Sequence, residues 1–118
     1  MDIAGPFHVT IGAYPDTSAE IETPVIQGCV TAVGIVTHSN TGNFSIATKG
    51  ADGTPAQTIF DKDSISSDGW YYPRVQIQTV AGVNINGLYE EPPVFDKLVI
   101  LVEGASPGDE FDVTLLVD

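Results

Sequence analysis

The chain has 118 residues, 42% of them hydrophobic, and carries 16 acidic against 4 basic side chains for a formal net charge of −12. One domain with one core is what this length permits: about 6,200 Å² of folded surface against about 18,000 Å² unfolded, without need of a disulfide or structural metal. Four cations in the whole chain exclude a direct nucleic-acid binder and disfavour an anionic membrane surface, since both demand a row of Lys and Arg. The single cysteine, Cys29, forbids an intrachain disulfide, fits a reducing compartment, and sits in the apolar run 29–33 as a small buried hydrophobe. No basic, apolar leader opens the chain, and no apolar run approaches the length of a membrane span.

The elements read as strands from end to end. Residues 1–6 are expected as a mobile arm, because Gly5-Pro6 is a natural stop. Phe7, Val9 and Ile11 alternate with polar residues as a half-buried strand. Residues 13–18 are turn chemistry. Ile21, Thr23 and Val25 continue in extended form, with an irregularity expected at Pro24. Residues 30–37 are apolar on both faces, with Val30, Ala32 and Val36 on one side and Val33 and Ile35 on the other. Such a β-branched strand belongs in mid-sheet with both sides covered.

A hairpin-type loop follows at 38–43, a strand at 44–48, a second turn built on Asp52-Gly53, and a short strand at 57–60. Residues 61–69 read as a polar loop. Residues 70–79 form the most aromatic strand, placed at an edge or bulged by Pro73, which has no N–H for a ladder. Ala81-Gly82 and Asn86-Gly87 punctuate the next section. Leu98–Val102 is a second two-faced apolar strand. The last strand alternates, with Phe111, Val113, Leu115 and Val117 on one face. About eight strands, frequent turns and no helical periodicity predict an all-β, single-domain antiparallel β-sandwich over residues 1–118, in jelly-roll or Ig-like order. Val33, Ile35, Ile46, Leu98, Ile100, Val113 and Leu115 are its expected core.

Few constellations suggest chemistry. Asp61, Asp63 and Asp68 are a weak candidate calcium loop, since oxygens at this spacing can share a cation, but the pattern departs from the EF-hand and reads first as a solvated acidic loop. Glu90 and Glu91 are adjacent, so on a strand they point to opposite faces and do not make a glycosidase pair. His8 and His38 lack zinc-ligand spacing. No catalytic residue and no cofactor are expected. Trp70 and Tyr72 share one face of their strand and Tyr71 takes the other, so one face is core and the remaining rings are free for a protein or sugar. Arg74, beside these rings, is expected in an ion pair with this chain or a neighbour.

The run Asp68-Gly69-Trp70-Tyr71-Tyr72-Pro73-Arg74-Val75, with Ala81-Gly82, Gly87-Leu88-Tyr89, the segment 97–102 and Pro107-Gly108-Asp109, resembles small virion proteins of tailed bacteriophages of the head decoration or cement type. The resemblance covers roughly residues 20–118, and its most specific element is the Gly-Trp-Tyr-Tyr-Pro-Arg run. It implies a non-enzymatic β-sandwich, a homo-oligomer (often a trimer), and binding to the major capsid protein on the outer surface of the assembled head. Tyr71, Arg74, Tyr89 and Phe95 are the expected interface residues. A carbohydrate-binding module and a host-contacting tail or fibre subunit are the alternatives that the same fold and aromatic run leave open.

Overall fold

The computed structural model describes residues 1–50 and 55–118, so the expected Asp52-Gly53 turn lies outside the described residues. Among the described residues there is no helix. Nine antiparallel strands run β1 (Asp2–Thr10), β2 (Ala19–Val36), β3 (Gly42–Thr48), β4 (Thr58–Ile65), β5 (Gly69–Tyr71), β6 (Val75–Gln78), β7 (Asn84–Glu90), β8 (Pro93–Glu103) and β9 (Glu110–Val117). The all-β sandwich class predicted from patterning is what the chain adopts.

β2 organises both layers. Its first half, to Cys29, pairs β8 in a sheet ordered β2-β8-β3-β4, and its second half pairs β9 and β5 in a sheet ordered β1-β9-β2-β5. The crossing from one sheet to the other falls at Gly28, whose φ of 132° a side chain rarely adopts; a Cβ there would lie 2.7 Å from the Asp118 carbonyl. The Cys29 and Asp118 backbones exchange hydrogen bonds of 2.8 Å at this point, tying the chain end to the corner. Cys29 is consequently half-buried rather than the fully buried hydrophobe expected.

The core lies between the layers. All seven predicted core residues are within it, together with Val9, Phe44 and Phe111, whose rings meet edge-to-face at 5.2 Å in the case of the two phenylalanines. The irregularity expected at Pro24 is a register shift between Glu22 and Val25, where Thr23 Oγ1 accepts the Leu98 amide at 3.0 Å.

Several local expectations are corrected. A register shift between Val30 and Ala32 places an extra residue, Thr31, in β2. Val30 therefore changes sides: it joins Val33 and Ile35 in the core, whereas Ala32, Gly34 and Val36 lie on the other face, where Ala32 and Gly34 are also buried, as expected of a mid-sheet strand covered on both sides. The polar loop assigned to 61–69 is instead largely strand, because β4 runs on to Ile65 along β3. Its alternating Asp61-Lys62-Asp63 suits an edge strand, where charge discourages further pairing. Leu98, Ile100 and Val102 are buried, but Val99 and Leu101 are only half-buried, so β8 has one core face rather than two. Residues 2–4, read as part of a mobile arm, are paired with 115–117 of β9.

The expected aromatic strand 70–79 is also two elements. β5 ends at Tyr71, Pro73 is buried, and the chain then leaves the sandwich. β6 and β7 pair only with each other, as a two-stranded hairpin that contributes nothing to the core cluster. The consequence is visible in shape. The solvent-accessible surface of the described chain is 6696 Å² against about 6,200 Å² for a compact chain of this mass. The radius of gyration is 14.8 Å against about 13.5 Å.

Candidate functional site

Two surfaces stand out, and both grow from the Trp70–Arg74 run. The first is the hairpin, hereafter the arm. Its base is fixed where the chain leaves at Pro73 and returns at Pro92, both buried. The Pro92 carbonyl accepts the Val30 amide at 3.0 Å. Arg74 sits across the base, with Nη1 donating to the Pro73 carbonyl at 2.6 Å and the Thr31 carbonyl at 3.3 Å, and Nη2 lying 3.8 Å from Glu91 Oε1. The ion pair is part-exposed and weak by itself; its two backbone contacts make it a bracket between the arm and the bulge of β2. Glu91 is thus committed to Arg74 and away from any acid–base pairing with Glu90.

Beyond the bracket, residues 75–89 carry no charged side chain in a chain that has 20 elsewhere. The turn 79–83 is closed by a 2.8 Å bond from the Thr79 amide to the Val83 carbonyl. Its apolar side chains have nothing to cover them: Val80 is fully exposed and Val83 is 62% exposed. Leu88 and Tyr89 are about half exposed on β7. Polar Gln76, Gln78, Asn84 and Asn86 keep the ribbon hydrated without giving it charge.

The second surface is the outward face of the β1-β9-β2-β5 sheet. Trp70 of β5 pairs with Gly34 of β2, which in turn pairs with Thr114 of β9. The indole lies over Gly34, where an added Cβ would come within 2.7 Å of Cζ3 and 2.9 Å of Cη2. Any side chain at 34 pushes the ring off. Trp70 keeps 51% of its surface exposed and walls a shallow groove of about 340 Å³ with Gly34, Val36, Asp68 and Thr114. Asp68 Oδ1 accepts the Thr37 amide at 2.8 Å and its hydroxyl at 3.2 Å, which holds β5 against the end of β2.

One row along the same face lies a cluster that sequence spacing did not reveal. His8 and Asp112 are register partners, as are Asp112 and Val36. His8 Nδ1 meets Asp112 Oδ1 at 2.7 Å, His38 Nε2 meets Asp112 Oδ2 at 2.8 Å, and Glu110 Oε1 is 3.5 Å from His8 Nε2. The hydrogen bond to Asp112 raises the His8 pKa above its ordinary value, and the two imidazoles lower that of Asp112. The three residues are separated by up to 104 positions in sequence, so only strand pairing brings them together.

The predicted interface residues fall at different places. Tyr71 faces inward, half-buried against the core, with its ring 5.6 Å from that of Phe60. Tyr89 is on the arm. Phe95 is 75% exposed on the outer face of the other sheet, diagonal to exposed Val25, since Gln27 pairs Phe95 and Val25 pairs Lys97. Asp61 and Asp63 are exposed on β4, whereas Asp68 is turned to Thr37, so the candidate calcium loop does not form a loop at all. Among the described residues no group of three or more His, Cys, Asp or Glu is arranged to hold a metal ion. The chain matches no known family model and no curated protein.

Proposed function

We propose that this chain is a non-enzymatic virion protein of a tailed bacteriophage, a decoration or cement protein that docks on the outer surface of the assembled head and strengthens it. The observation that carries the reading is the arm: an uncharged hairpin with bare apolar side chains, raised off an otherwise acidic sandwich. An isolated two-stranded ribbon is marginal in water. Exposed valines at its tip gain free energy only when another surface covers them. The sandwich behind it supplies solubility, since a net charge of −12 keeps free copies apart. The partner is the major capsid protein. Copies assemble there as a homo-oligomer, most simply a trimer, with the uncharged arms as the surfaces that can approach without carboxylate repulsion.

The test is co-sedimentation of the purified protein with head shells assembled without it, from the phage whose genome encodes the chain. Saturable binding that survives in high salt is expected, because apolar contacts are not screened. Absence of binding at any salt concentration would remove the proposal.

A further inference from the structure

We propose that the Trp70 groove is a receptor for a cationic side chain, an arginine guanidinium or lysine ammonium, presented by the protein partner. The inference rests on the reading above, that the chain docks on another protein, and it names a second contact made when it does so. Four observations converge on it. The indole is held flat by Gly34 beneath and is open above, which is the geometry in which a cation meets the negative face of the ring. Asp68 lines the same groove, and among the described residues no donor is bonded to its Oδ2. Asp112 stands one row further along the same face, about 7 Å away by strand geometry, with its oxygens held by His8 and His38. No cation of this chain fills the position. Arg74 is held at the arm base by backbone carbonyls and Glu91, Lys49 is paired with Glu22 at 2.5 Å, and Lys62 and Lys97 lie on β4 and β8 of the other sheet.

Charge decides between ligand classes. A phosphate, sulfate or acidic sugar would meet Asp68 and the field of a chain at −12. A neutral sugar would stack on Trp70 but draw nothing from that field. A guanidinium gains from the ring face, the carboxylate and the net field together, and its planar fork matches both. Arginine is therefore favoured over lysine.

Trp70 is the only tryptophan, so its emission reports the groove directly. The full chain is titrated with the blocked peptide acetyl-Gly-Arg-Gly-amide and with its citrulline counterpart, which has the same shape and no charge. Quenching by the arginine peptide alone is expected. Asp68→Asn keeps the acceptor for Thr37 and should weaken binding by about threefold to tenfold. Wild type and Asp68→Asn are also compared by thermal melting, and an unchanged midpoint shows that the variant is folded. Equal responses to arginine and citrulline overturn the proposal. So does a response to neutral oligosaccharides such as chitotriose without one to arginine, which would make the groove a sugar site. Arginine amide should also lower binding to head shells. If neither peptide perturbs Trp70 while shells still co-sediment with the protein, this inference falls and the decoration reading stands; if the arginine peptide binds and shells do not, the reverse holds.

Discussion

Removing the arm separates adhesion from folding. Val75 and Glu90 are antiparallel partners, so residues 76–89 are replaceable by Asn-Gly, a pair suited to a tight hairpin turn. Two terms set the effect on stability. Ile77 and Ile85 are half-buried within the ribbon, and losing them removes about 1 kcal/mol each, half of what a fully buried isoleucine contributes. Against this, closing two residues rather than fourteen saves an unordered loop about 1.7 kcal/mol. The terms nearly cancel, and the variant should unfold in urea within about 1 kcal/mol of the parent, with a slightly smaller m-value because less surface is exposed on unfolding. Binding to head shells should be lost. A destabilisation of about 3 kcal/mol or more would mean that the arm belongs to the core. Undiminished shell binding would mean that its bare valines serve something else.

Further expectations concern the sandwich. Ile100 is fully buried at the centre of β8 and Val99 is half-buried on the opposite face; Ile100→Ala should cost about 2–5 kcal/mol in denaturant unfolding and Val99→Ala less than half as much, and equal costs would refute the assigned faces. Gly34→Ala must lift the Trp70 ring, and its emission should shift to the red in the folded protein; unchanged emission would show that the ring does not rest on Gly34. His8 should titrate above 6.5 by NMR and fall back toward that value in Asp112→Asn. Because His8 is raised, its contribution is complete below 6.5 and is lost as pH rises through the higher folded value. Because Asp112 is lowered from 3.8, its contribution is present above 3.8 and is lost as pH falls through the lower folded value. The pair therefore stabilises most between 3.8 and 6.5, and a His8 midpoint at or below 6.5 would contradict the geometry.

Strand alternation made much of this fold legible. The period of 2 in Phe111–Val117 and the β-branched run 30–36 follow directly from which side chains must leave water. What alternation does not carry is an inserted residue. The bulge at Thr31 adds one position without changing composition, so Val30 is expected on the side of Ala32 and Val36 but faces the core with Val33 and Ile35. Continuation of β4 through Asp61-Lys62-Asp63 was hidden for a related reason: an edge strand needs few apolar residues, and its charges resemble those of a loop. Pro73 signalled a break, but not that the chain would depart from the sandwich. Within the aromatic run, Trp70 and Tyr72 point outward and Tyr71 inward, as alternation requires. The Gly34 platform and the His8–Asp112–His38 cluster depend on which strands become neighbours, and topology is not written in local pattern.

Hydrogen–deuterium exchange of the protein, free and bound to head shells, tests the central claim most directly. Amides of residues 76–89 exchange quickly in the free chain and become the most strongly protected segment on the shell if the arm is the adhesive element. Protection confined to the sandwich, with the arm still exchanging freely in the bound state, would contradict it.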